Sequence, residues 1–315
     1  MDFLKICFLI IFYIINSLLN HQLEALPFKS LLSTRYKRIV SGDLSEEGEF
    51  PWMTAIFIYD KYSCSGALIT ERHVLTAGHC FQALEFSIPA SEVKIAVVLS
   101  AGHCFQALEF SIPASEVKIA VGIVSLSEVS KPRVLYPINR LFMYPTLQYE
   151  EVNDVITPLN DLAVAQLINK ITFSPLALPL KLPHRDKDFT NYTATIAGWG
   201  ATYELANHPS NDLLYTTVKI LDMNTCLETP IRRHVSRAVK LDSILCAYGG
   251  RNDGCKGDSG APLIVRTSPS VIELAGIMSW GVGCGCSQYP AVYTKTSYYI
   301  DWITSSTSMF LEDEQ

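Results

Sequence analysis

From Ile39 to about Tyr298 the chain is a succession of short β-prone runs: "MTAIFIY", "SGALIT", "LAVAQL", "YTATIAGWG", "TTVKIL", "APLIV" and "AVYTKT". Gly, Pro, Asn and Asp separate them. Runs this short, rich in β-branched and aromatic residues, pair into antiparallel sheets that close as barrels or stack as a sandwich. A helical spacing replaces them only in "SYYIDWITSS", where Tyr299, Trp302 and Ile303 share a face. The Pro-punctuated "ALPLKLPHRD" around 177–186 connects two halves.

One stretch is written twice. "VLTAGHCFQALEFSIPASEVKIAV" starts at Val74 and returns at Val98 with a single change, Thr76 against Ser100. Each copy carries a His-Cys pair, His79-Cys80 and His103-Cys104. A fold needing one such segment must use one copy and displace part of the other.

The ends read differently from the middle. After Lys5 comes "ICFLIIFYII", then polar residues and a small residue at Ala25, the pattern of a secretory signal peptide over 1–25. So short an apolar run spans a membrane poorly. Residues 26–38 lack cysteine and end in the basic cluster Arg35-Tyr36-Lys37-Arg38, followed by Ile39-Val40. Export gives the cysteines after Cys7 an oxidising environment in which disulfides form. Residues 1–38 hold five basic and two acidic side chains, so of the formal −6 the remainder carries −9. An acidic surface argues against nucleic acid or anionic lipid as a partner. Asn191-Tyr192-Thr193 is an acceptor tripeptide for N-glycosylation. No Cys/His/carboxylate cluster suggests zinc, and no calcium loop is recognisable, so neither metal nor other cofactor is expected.

"DGCKGDSGAPL" (253–263) is the most specific stretch. Gly257 and Gly260 allow close backbone approach to a reacting carbonyl, and the N–H groups of Gly257 and Ser259 can converge on a developing oxyanion. A serine hydroxyl at neutral pH needs a base, and a neutral imidazole needs an orienting carboxylate. The stretch resembles the active-serine segment of trypsin-like serine proteases. "RIVSG", "PWMTAIF", "CSGALI", "LTAGHC", "NDLAVAQL", "AGWG", "SWGVGC" and "YPAVYT" are similar to further segments of that family and stand in its order.

The resemblance implies two six-stranded antiparallel β-barrels, roughly 54–172 and 185–298, with a short C-terminal helix near 298–306, all within a protease domain over 39–315. It implies Ser259 as nucleophile, Asp161 as orienting carboxylate and the Gly257 and Ser259 N–H groups as oxyanion hole. Asp154 in "NDVI" matches less well. Either histidine fits by sequence. The family joins a cysteine in an early strand to the one after its catalytic histidine, and Cys64 and Cys80 are sixteen apart. His79 leaves the hairpin from Cys64 to Cys80 intact and puts the extra residues in a loop, where doubling the length costs about 0.6 kcal/mol. His103 would interrupt that hairpin, so His79 is favoured as base.

By the same resemblance Asp253 lies at the floor of a specificity pocket and selects Arg or Lys, with Gly254, Ser279, Trp280, Gly281 and Ala291 around the substrate. Gly254 offers no hydroxyl to solvate an ammonium, and the Ala291 methyl narrows the wall, which favours Arg. Cleavage after Arg38 would free the Ile39 amine to pair with Asp258 and order the site, making the uncut chain a zymogen. The implied bridges are Cys64–Cys80, Cys226–Cys246 and Cys255–Cys284, leaving Cys104 and Cys286 over. The implied partners are protein or peptide substrates and protein inhibitors, the implied state a monomer free of the membrane once the signal is gone. A protease-like binding protein without activity is the reading from another class.

Overall fold

The computed structural model describes residues 42–82, 112–127, 134–204, 206, 208–250, 254–284 and 288–308. Arg38, Ile39, His103, Cys104, Asp253 and Cys286 lie outside the described residues, as do the signal and pro-segments. The strands are β1 (Asp43–Leu44), β2 (Met53–Ile58), β3 (Lys61–Leu68), β4 (His73–Thr76), β5 (Val117–Val121), β6 (Leu135–Met143), β7 (Gln148–Val152) and β8 (Val155–Leu159). They continue as β9 (Ala163–Leu167), β10 (Thr193–Gly198), β11 (Leu214–Leu221), β12 (Ile244–Tyr248), β13 (Pro262–Ser268), β14 (Val271–Trp280) and β15 (Ala291–Lys295). Helix α1 spans Met223–Glu228 and α2 spans Ile300–Ser308.

Strands β2-β3-β4-β9-β6-β5 form a closed antiparallel barrel. The second sheet runs β1-β11-β10-β13-β14-β15-β12, and pairing of β11 with β12 closes six of its strands into a second barrel. Side-chain alternation drives this closure. In β11, Leu214, Thr216, Val218 and Ile220 are buried while the residues between them face outward. Ile56, Leu68, Leu75, Ile119, Val164 and Leu167 fill the first barrel. Phe189, Val218, Leu263, Val265 and Tyr293 make a separate core in the second. Each such side chain contributes roughly 1.5–3 kcal/mol by leaving water.

Two-residue turns join β2 to β3 and β7 to β8, with φ of 50° and 61° at Tyr59-Asp60 and 50° and 62° at Asn153-Asp154. Positive φ at both central residues is the hairpin geometry that matches strand twist. Asp154 thus sits at a hairpin tip. Helix α2 begins two residues later than the sequence pattern suggests, because Thr296–Tyr298 forms a 3-10 turn first. Tyr144 anchors it, stacking edge-on to Tyr299 at 4.9 Å and to Trp302 at 5.2 Å. Among the described residues no helix is long and apolar enough to cross a membrane.

The barrel divides the repeat between its copies. Val74–Gln82 of the first copy supplies β4 and the 3-10 turn Gly78–Phe81. Ile112–Val121 of the second supplies another 3-10 turn and β5, which pairs with β2 from Thr54↔Val121 to Ile58↔Val117. The two pieces meet directly, the Ile112 N–H donating to Phe81 O at 3.0 Å. The rest of the repeat falls within 83–111, outside the described residues.

Candidate active site

Strands β4 and β9 pair from His73↔Gln166 to Thr76↔Ala163. His79, three residues beyond β4, and Asp161, two before β9, therefore leave the barrel at the same end. The Cys64–Cys80 disulfide ties the histidine turn to β3. Asp161 is buried, 1% exposed. Its Oδ1 accepts the His79 backbone N–H at 2.8 Å and its Oδ2 accepts His79 Nδ1 at 2.7 Å. An ionised carboxylate only accepts, so Nδ1 carries the proton and, in the neutral ring, Nε2 is left with its lone pair.

Burial works to raise the Asp161 carboxyl, but the adjacent His79 ring and the donors from His79 and Ser279 outweigh it and hold the group below its ordinary value. Burial likewise works to lower the imidazole, and the Asp161 charge reverses that and raises it.

Ser259 comes from the other barrel. Its carbonyl accepts the Ser65 N–H at 2.8 Å. Next to it, a Cβ built on Gly260 would lie 2.1 Å from Thr76 Oγ1 and 2.2 Å from Ser65 O, so this turn rests directly on β3 and β4. The serine turn and the histidine turn are thus brought to one seam between the barrels. Among the described residues no hydrogen bond joins Ser259 Oγ to His79.

Residues 255–258 form a β-turn closed by the Asp258 N–H on Cys255 O at 3.0 Å, with Gly257 at φ 94°. That is type II geometry, which glycine adopts without cost. Lys256 O accepts the Ala201 N–H at 2.7 Å. In a planar trans peptide C=O and N–H point oppositely, so the Gly257 N–H faces away from Ala201. Neither the Gly257 nor the Ser259 N–H has an acceptor among the described residues. Two unclaimed donors in one turn are available to an anionic oxygen.

Asp258 is buried, its oxygens accepting the Gly200 and Cys255 N–H groups at 2.8 Å each. Burial pushes its carboxyl up to about 6 against those two bonds. Gly254 packs on Met278 and Ile196, and Gly281 faces Ala291, whose Cα lies 3.9 Å from where a Gly281 Cβ would stand. The Cys255–Cys284 disulfide holds these two segments together, and Cys226–Cys246 ties α1 to β12. Asp253 and the pair Arg38-Ile39 lie outside the described residues. No group of three His, Cys, Asp or Glu side chains among the described residues could hold a metal ion.

Three contributors escaped the sequence reading. Ser279, expected only along the substrate backbone, also donates its hydroxyl to Asp161 Oδ2 at 2.5 Å. Thr294 Oγ1 donates to Asp161 O at 2.8 Å, and Tyr62 Oη donates to Gly257 O at 2.7 Å. Each bond spans more than a hundred residues, and only for Ser279, within "SWG", is there a local signal.

The family model for trypsin matches residues 39–97 and 90–303. The stretches overlap, and each contains one of the two His-Cys pairs. "Serine protease filzig" of Drosophila melanogaster is 31% identical over 280 residues, 86% of this chain and 14% of its own length. The chain thus spans a small part of that relative.

Proposed function

Because the chain belongs to the trypsin family of serine proteases, we propose that it is a secreted endopeptidase cleaving proteins or peptides after Arg, and less readily after Lys. Ser259 Oγ attacks the scissile carbonyl as His79 Nε2 takes its proton. The Gly257 and Ser259 N–H groups bind the oxyanion. His79 returns the proton to the leaving amine, and water then releases the acyl group by the same steps. Asp161 keeps His79 in the required tautomer and stabilises its charged form. The observation that carries this reading is the Asp161 carboxylate on His79 Nδ1 at 2.7 Å, beside a serine turn with two free donors. The Ser259–His79 contact that this mechanism needs is of the kind that forms only when substrate arrives.

Asp253 supplies the counter-charge for the substrate cation, and a guanidinium binds a carboxylate in bidentate fashion. The chain is a zymogen until it is cut after Arg38. The Ile39 amine then enters beside Asp258, whose buried carboxylate has two N–H donors but no cation among the described residues. "RYKR" fits a furin-like convertase as well as a tryptic activator. Residues 1–25 direct export. Asn191 carries an N-glycan, a reading supported by its exposure at a turn with φ 67°.

A fluorophosphonate probe on protein cut after Arg38 tests the reading. Labelling at Ser259 is expected in the cut form and not in the uncut one. A folded, cut protein that stays unlabelled would instead be a protease-like binding protein.

A further inference from the structure

The turn that carries the two free N–H groups is closed by its own Asp258 N–H on Cys255 O, a bond compatible with either orientation of the central peptide. Glycine populates φ on either side of zero with similar ease, so the type II form at Gly257 has a close competitor with the central peptide flipped. The flip would carry the Gly257 N–H away from an oxyanion. Two outside donors act on successive carbonyls of this turn. Ala201 N–H holds Lys256 O at 2.7 Å from within the second barrel's half of the chain, and Tyr62 Oη holds Gly257 O at 2.7 Å from β3 of the first barrel.

We propose that Tyr62 is a positioning residue for the oxyanion turn: Ala201 holds the central peptide, which carries the Gly257 N–H, and the Tyr62 hydroxyl fixes the following peptide through Gly257 O, so that the Ser259 N–H beyond it stays convergent with that of Gly257. The inference rests on the proteolytic reading for its catalytic consequence, and on the hydrogen bond alone for its structural one. The phenol is well placed to act as a strut. Its ring stands edge-on to Phe57 and to Trp199, each at 6.1 Å, and these contacts restrict its rotation. Ser65 Oγ lies 2.9 Å from Tyr62 Oη and can donate to it, leaving the phenolic proton for Gly257. Ser65 also donates its own N–H to Ser259 O at 2.8 Å. One strand of the first barrel therefore grips the turn at two points on either side of Asp258. Burial, with a further push from the Asp258 charge, raises the phenol well above its ordinary range, so it remains a donor at any working pH.

The test is Tyr62→Phe, which removes only the hydroxyl, in protein cut after Arg38. kcat on an Arg peptide amide is expected to fall about tenfold, the worth of one net hydrogen bond, with KM unchanged. Affinity for a peptide aldehyde, which forms an oxyanion on Ser259, should fall by the same factor, while affinity for benzamidine, which fills only the pocket, should hold. Equal kcat and aldehyde affinity in the two proteins overturns the proposal. Amide exchange at Asp258, whose N–H closes the turn, gives a readout independent of turnover. It should quicken in the variant, and unchanged exchange also overturns the proposal. A wild-type protein that is inert, yet shows quickened exchange in the variant, would sink the proteolytic reading and leave Tyr62 its structural role. If Tyr62→Phe does not fold, Ser65→Ala, which removes the hydroxyl neighbour of the phenol, should quicken the same exchange to a smaller degree, and no change would count against the proposal.

Discussion

Ser279 Oγ and His79 Nδ1 meet on the same oxygen of Asp161, at 2.5 Å and 2.7 Å. The serine arrives on β14 of the second barrel and the histidine from the end of β4 in the first. One buried carboxylate thus joins both halves of the fold. It keeps its charge because three donors replace the water it lost.

Ser279→Ala should therefore cost stability as well as rate. Losing a hydrogen bond to a buried charge removes about 2 kcal/mol. Urea unfolding at neutral pH measures it, and an unchanged midpoint would mean that solvent replaces the hydroxyl.

The two histidines of the repeat should behave oppositely. His79→Ala is expected to lower kcat by about 10⁶-fold, as loss of a general base does when the remaining groups act only with it. His103→Ala should leave peptide hydrolysis within about twofold, the effect of a residue that takes no part in the reaction. Equal losses in the two variants would mean that the copies exchange places.

The acid limb of kcat/KM reports protonation of the free imidazole. Burial pulls that group down and Asp161 more than restores it, so the limb should lie above the ordinary histidine value of 6.5. Asp161→Asn removes the cause, and it should move the limb down while lowering kcat about 10⁴-fold. Stability has two edges. The Asp161 contribution is complete above 3.8 and lost as pH falls through its lowered value, and the His79 contribution is complete below 6.5 and lost as pH rises through its raised value. A pH series of urea midpoints for wild type and Asp161→Asn should differ most between those limits.

Asp258 titrates in the opposite sense. Its folded value of about 6 lies above the ordinary 3.8, so between the two the folded state holds the extra proton and stability falls as pH rises. The loss amounts to about 3 kcal/mol at 1.36 kcal/mol per unit. An uncut Arg38→Gln protein should show this loss between pH 4 and 7. The cut protein should not, because the Ile39 amine compensates the charge. Identical curves would argue against the amine entering that pocket.

Paired peptides differing only in Arg or Lys before the scissile bond test the pocket. The glycine at 254 and the Ala291 methyl should give Arg a kcat/KM at least about tenfold higher, roughly the worth of one solvating hydrogen bond. Equal values would remove the assigned roles of both residues.

Chemistry that is local in the chain was legible from the letters. Alternating patterns such as "LYTTVKIL" dictate strands because one face must leave water, and the glycines of "DGCKGDSGAP" mark a tight, reactive turn because no other residue fits it. The Cys64–Cys80 bridge was what the family resemblance implied, since spacing alone proves no pairing. The donors from Ser279, Thr294, Ala201 and Tyr62 left little trace in sequence, since a hydroxyl or amide shows its partner only when distant strands are brought side by side.

The repeat marks the boundary between the two kinds of information. Its copies differ only at Thr76 and Ser100, so the residues of the repeat alone hardly separate His79 from His103. The choice is made by what each copy is joined to. The first is continuous with the strand pair ending at Cys80, the second with the strand that closes against β2, and Phe81 O to Ile112 N is where the barrel stitches one to the other. Sequence determined that a histidine turn and a closing strand would exist. Continuity with Cys64 favoured the first copy for that turn, and only the closed ring decided that the second copy supplies the strand beside β2.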